Sequence, residues 1–291
     1  MKRIEIKIKT TKDYHANYEY LFGLWNELNE DNLDVRFDFS SCSFFTHNAI
    51  CFLGGMSRLI QYKGGKVEFA WETMSGWLSA TLTQNGFRYA FEKDSHPWNG
   101  TSIPYREDNI ETDFPWPAKE ISTYLENDWL GKGCISMSIQ LKKEILGRVM
   151  EVFLNAFEHS SSPIGVFSCG QYYPTNQKLS LCVIDFGVGI PNNVRHFEND
   201  PQISASKAME RAFSLGYTTK INGIPKGLGL DILKEFIKVN NGDLCVYSHD
   251  GFTHISNNGE VYEENKVPFT GTLVNITLHC DNKYYFLKNE R

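Results

Sequence analysis

The chain opens on alternation. Lys2 to Lys9 places charged and apolar residues in turn, and Asp34 to Phe39 (DVRFDF) repeats the period of two, which predicts two half-buried strands. Between Phe45 and Gln61 the apolar residues Ile50, Leu53, Leu59 and Ile60 fall at helical spacing, so a helix is expected there. Gly64-Gly65 breaks the chain before a further strand at Lys66 to Ala70, and a helix from Glu72 to about Gln84 stops at Asn85-Gly86. Strand, helix, strand and helix make residues 1–93 a small α/β domain.

From about Glu92 the pattern dissolves into Pro97, Pro104, Pro115 and Pro117 among Asp, Asn, Ser and Gly. Residues 94–135 therefore read as a linker that ends in a connecting helix near Lys119 to Leu130. A longer amphipathic helix from about Ser136 to His159 opens a second α/β region, residues 136–291. No internal repeat interrupts this two-part plan.

Composition narrows the class. An apolar share of 41% and a charged share of 22% belong to a globular chain. The net charge of -6 gives no direct nucleic-acid signal. The most apolar run, Ala49 to Met56, is far short of the roughly 20 residues a membrane helix needs. The N-terminus lacks the apolar core of a signal peptide, so a cytoplasmic protein is expected. Its seven cysteines are odd in number, scattered and never spaced as CxxC, which predicts reduced, buried thiols without a disulfide or zinc site. Trp71, Trp77, Trp98, Trp116 and Trp129 concentrate around the first domain and the linker, where they suit packing or a partner surface.

Three segments of the second half carry candidate chemistry. In EVFLNAFEHS, Glu151 and Asn155 stand four apart on one helix face. A carboxylate there can act as a general base and a carboxamide oxygen can ligate Mg²⁺. In LSLCVIDFGVGIP a buried-strand run ends at Asp185, followed by Gly187 and Gly189. Such an acid can accept from an exocyclic amine, while glycines let a ligand approach the backbone. In KGLGLDILKEFIKVNNG, Lys226, Gly227, Leu228 and Gly229 precede a helix whose N-terminus can bind an anion. Each has a bland alternative: a polar helix stripe, a strand-to-turn transition and an empty helix cap.

In order and spacing the three segments resemble the N, G1 and G2 boxes of the GHKL ATPase superfamily of gyrase, heat-shock chaperones, histidine kinases and MutL. Gly271-Thr272, entering a strand-like run from Leu273 to Leu278, resembles the family's late Gly-Thr step. The resemblance implies a Bergerat-type α/β sandwich, a mixed sheet with helices on one face, that binds ATP and Mg²⁺. It implies Glu151 as general base, Asn155 as metal ligand and Asp185 as adenine reader. Gly187, Gly189, Gly227, Leu228 and Gly229 would line the nucleotide, supported by Thr272. It also implies a mobile lid from about Asn192 to Lys226, with Thr218 and Thr219 near the phosphates.

None of the eight histidines sits in the acidic-and-proline pattern of a sensor kinase's phosphorylated helix. A regulatory ATPase is thus the leading expectation, with a protein partner or homodimer. An anti-sigma-type serine/threonine kinase and a non-catalytic nucleotide-binding module are the alternatives. The first domain is similar to STAS-type anti-sigma-factor antagonists. At their phosphorylated turn this chain has FFTHNAI, where Thr46 offers a hydroxyl or a helix cap.

Overall fold

The alternating N-terminal segment forms strand β1 (Lys2–Lys7). The computed structural model, which describes residues 2–109, 117–214 and 230–290, continues with α1 (His15–Leu28), β2 (Leu33–Asp38), α2 (His47–Tyr62) and β3 (Lys66–Ala70). The strands pair in the order β1-β2-β3, all parallel, as helical crossovers require. Helix α1 was missed by the sequence reading, although its buried Tyr18, Leu21, Phe22, Trp25 and Leu28 recur at helical spacing. A 3₁₀ turn at Trp71–Thr73 delays the next helix, α3 (Gly76–Gln84), until Ser75 caps it by accepting from the Leu78 N–H at 3.3 Å. A short α4 (Phe87–Glu92) follows.

The expected linker contains a strand. β4 (Ser102–Asp108) pairs with a strand of the second region, so residues 94–135 are partly built into its sheet. After α5 (Ala118–Thr123), a π-helical turn (Tyr124–Trp129) and β5 (Ser136–Met137), Ser138 caps the long α6 (Ile139–His159). Then come β6 (Val166–Tyr173), β7 (Lys178–Asp185), α7 (Ile190–Phe197), α8 (Ala205–Ala212), α9 (Asp231–Asn240), β8 (Asp243–Ser256), β9 (Gly259–His279) and β10 (Tyr284–Tyr285). The main sheet runs β4-β6-β7-β9-β8, and every pair in it is antiparallel rather than mixed. β10 pairs with β5 in parallel beside it.

Both faces of this sheet are covered, where helices on one face were expected. On one face Leu181, Val183, Val246 and Ile276 pack in a core with Val149 and Phe153 of α6 and Leu233 and Ile237 of α9. On the other, Cys182, Ile184, Tyr247, Phe269 and Leu273 join the core of the N-terminal unit. Phe22 stacks on Phe269 at 4.4 Å between centroids and Tyr18 on Tyr247 at 4.3 Å. The physical reason is the strand period of two: with both sets of alternate positions apolar, each face has to be buried. Gly55 of α2 leaves no room for a Cβ against the Phe186 ring, so the helix lies close on the sheet.

The thiol expectation needs one correction. Cys134 and Cys280 are paired as a disulfide, with Cα atoms 5.1 Å apart across 146 residues of chain. That separation hid the pair from a reading of local spacing. Cys42, Cys51, Cys169 and Cys182 are buried free thiols and Cys245 is half-buried. Among the described residues, no helix is long and apolar enough to cross a membrane.

Candidate functional site

Three of the singled-out segments meet at one end of β7. Asp185 is the last residue of β7 and lies opposite Thr272 of β9 in the antiparallel register. The turn beyond Asp185 docks on the C-terminal end of α6: the Val188 N–H donates to the Ser160 carbonyl at 2.7 Å, and Asn193 Nδ2 to the His159 carbonyl at 2.9 Å. A Cβ at Gly187 would strike that Ser160 carbonyl. Gly189 has φ +81, and a Cβ there would lie 2.9 Å from His249 Cβ; Gly271 has φ +141, where a Cβ would meet the Asp185 carbonyl. The left-handed backbone and the close approach both call for glycine.

Asp185 itself is 3% exposed. Burial pushes its carboxyl up to about 7, against the pull of hydrogen bonds from the Gly187 and Thr272 N–H groups. The Gly187 bond to Oδ1 measures 2.9 Å. A carboxylate has about four lone-pair positions, so acceptor capacity remains beyond these two bonds. Thr272 Oγ1 is bonded to Ser248 Oγ at 2.8 Å, and Ser248 Oγ accepts from the Ile190 N–H at 2.7 Å. These hydroxyls tie β8, β9 and the start of α7 together around the acid.

Glu151 and Asn155 share the half-exposed face of α6. Glu151 is engaged: Arg148, one turn earlier, donates from Nη1 to Glu151 Oε1 at 2.9 Å and from Nη2 to Glu144 at 3.3 Å. Asn155 carries the oxygen donor that a hard cation takes. Among the described residues, no cluster of three His, Cys, Asp or Glu could hold a metal ion.

The first part of the expected lid is helical. Residues 192–214 contain most of α7 and all of α8, and the buried Ala205, Ala208, Met209 and Ala212 seat α8 on the β8–β9 hairpin. Arg195 fastens α7 with a two-pronged ion pair to Asp250, at 3.1 and 2.8 Å, and a bond to the Ile203 carbonyl. The small apolar residues of α8 are thus packing contacts. The expected site residues Thr218, Thr219, Lys226, Gly227, Leu228 and Gly229 lie outside the described residues.

The turn that corresponds to the phosphorylated one of STAS-type domains is largely buried. Thr46 is the N-cap residue of α2 but is only 4% exposed, and its hydroxyl bonds to Asn48 instead of capping the helix. Next to it lies a polar network that motif reading missed. Asp13 Oδ1 accepts from Tyr18 at 2.6 Å and Asn48 at 3.0 Å, and Asp13 Oδ2 from Asn275 at 3.1 Å. His47 Nε2 lies 2.8 Å from Asn275 Oδ1 and its Nδ1 3.2 Å from the Tyr173 hydroxyl. The amide oxygen can only accept, so Nε2 carries the hydrogen and Nδ1 accepts from Tyr173. Burial pushes His47 down toward the neutral form that this arrangement needs.

No family model matches the chain, and no curated protein matches it either.

Proposed function

We propose that the chain is a regulatory protein that binds Mg·ATP in its second half and hydrolyses it slowly, with the bound nucleotide altering contacts between its two units or with a partner protein. The observation that carries this reading is the buried acid at the end of β7. Asp185, opposite Thr272 and ringed by Gly187, Gly189 and Gly271, has acceptor capacity for an exocyclic amine at a place where backbone, not side chains, forms the wall. The GHKL resemblance of the same residues supplies the ligand. Asn155, one turn beyond Glu151 on the adjoining helix, fits the cation that accompanies nucleotide phosphates. Bound Mg·ATP supplies a transferable phosphoryl group; the chain's part is to hold the adenine, place the cation and, through Glu151, take a proton from the attacking hydroxyl or water.

The Arg148–Glu151 pair favours a second reading, in which nucleotide is bound and not turned over. Radiolabelled ATP with the wild-type protein and Glu151→Ala and Asp185→Asn variants separates the outcomes. Free phosphate lost in Glu151→Ala, with binding retained, marks an ATPase. Label in an added protein marks a kinase for serine or threonine. Binding that persists without turnover in wild type marks the non-catalytic module. Unchanged affinity in Asp185→Asn would remove the adenine reader and with it the proposal.

A further inference from the structure

At the other end of β7, on the opposite face of the sheet, lies a cleft of about 1050 Å³. Its floor is one row of side chains set by strand register: Gln171 of β6 pairs with Ser180 of β7, Ser180 with Thr277 of β9, and Thr277 with Asp243 of β8. One step along the strands the row becomes Cys169, Cys182, Asn275 and Cys245, and beyond that comes the apolar core under α1 and α2. The helices cover the apolar rows and stop short of the polar one. Ser180 and Thr277 are nonetheless only 2% and 4% exposed, so this row is the bottom of a recess and not an ordinary solvated sheet face.

We propose that this cleft is a second binding site, for an uncharged nucleoside. The volume is at the upper end of what small-molecule sites occupy. The floor presents two hydroxyls bonded to each other at 3.0 Å and a carboxylate that His254 holds at 3.0 Å, donors and acceptors able to read the edge of a base, while the Gln171 carboxamide beside them is held by Thr101, Ser102 and the Tyr172 carbonyl and keeps only acceptor capacity on its oxygen. At the mouth Trp77 and Trp98 stand about half exposed, and Phe44 backs Trp77 at 5.1 Å with rings nearly parallel. Flat aromatic faces of this kind bind bases by stacking. The lining charges favour an uncharged ligand: its two lysines, Lys12 and Lys178, are offset by two carboxylates, Asp13 and Asp243, and Asp13 already accepts three hydrogen bonds. Among the described residues, no arginine lines it to hold a phosphate.

Titration calorimetry of the whole chain with adenosine, guanosine, cytidine and uridine tests the site, with glucose and N-acetylglucosamine as competitors. The Asp185→Asn variant keeps the nucleotide region from contributing. Saturable binding of at least one nucleoside, retained in Asp185→Asn and weakened about tenfold in Trp77→Ala and in Thr277→Val, is the expected result. Trp77 is about half exposed, so thermal melting of its variant should match wild type; Thr277→Val leaves the buried Ser180 hydroxyl without its partner and should melt lower, so its binding is measured at a temperature where circular dichroism shows it folded. Absence of saturable binding of all four nucleosides at millimolar concentration overturns the proposal. So does binding indifferent to both substitutions, or binding of the sugars in place of the nucleosides.

Discussion

At the Asp185 end of the main sheet, backbone closes on backbone: Gly187 against Ser160, Gly271 against Asp185, with one buried acid between them. At the Gln171–Asp243 end, side chains from four strands and the neighbouring unit ring an open recess. The first arrangement comes from short contiguous segments, among them Asp185 with Gly187 and Gly189, and Gly271 with Thr272. The second is assembled from residues as distant as Asp13 and Asn275, which touch through a single hydrogen bond. A site made of chain segments can be read as a motif; a site made by packing is visible only once the strands are in register.

Removing residues 1–93 would break the comparison most severely. Tyr247, Phe269 and Leu273 would lose the helices that bury them, and a fragment of residues 94–291 is expected to aggregate or remain unfolded by gel filtration and circular dichroism. A soluble monomer with native secondary structure would mean that the outer face needs no cover. Next in size, Phe269→Ala should lower the free energy of urea unfolding by about 3–5 kcal/mol. Because that ring contacts Phe22 and Phe52 of the N-terminal unit, probes in both units should move in one transition. Separate transitions would show two independent domains.

Asp185→Asn sharpens the contrast by splitting stability from binding. The folded state holds this carboxyl at about 7, well above its ordinary range, so the native protein loses stability on its account as pH rises from about 4 to about 7, and the loss is complete above that. An amide does not titrate and can still accept from the Gly187 N–H. The variant should therefore be more stable than wild type at pH 8, with the advantage shrinking toward pH 4, while its ATP affinity falls. Denaturant titrations at both pH values check the sign; a variant less stable at pH 8 would contradict the burial argument. In the wild type, an amine donor favours the ionised acid, so ATP should bind roughly tenfold more weakly at pH 6 than at pH 8. A flat profile would place the amine elsewhere.

Much of the fold was legible because period and punctuation agreed. The strands at Asp34–Phe39 and Lys66–Ala70, the helix across Phe45–Gln61 and the long helix ending near His159 all stand where the spacing put them, give or take a turn. Ser102–Asp108 was hidden by Pro104, which looks like a loop residue yet is tolerated on the edge strand that β4 forms. At the candidate site, Asp185 and Thr272, which the resemblance assigns to one site, lie opposite each other in the sheet register, and Gly187 donates to the Asp185 carboxylate. Sequence could not show that Arg148 holds Glu151, because a pair three residues apart looks like ordinary helix-surface charge. Nor could it show His47 buried against β9, since that contact spans 228 residues.

The crowding at Gly187 bears on how substitutions among future relatives should be interpreted. A side chain there would collide with the protein's own Ser160 carbonyl whether or not any ligand is bound, and the same holds for Gly271 against the Asp185 carbonyl. Glycine is required at both places whether or not the chain binds a nucleotide. Val188, which lies between two of the site's glycines and is 37% exposed, is under no such compulsion. Variation at Val188 and Asn155, more than constancy of the glycines, is where a change of ligand would leave its record.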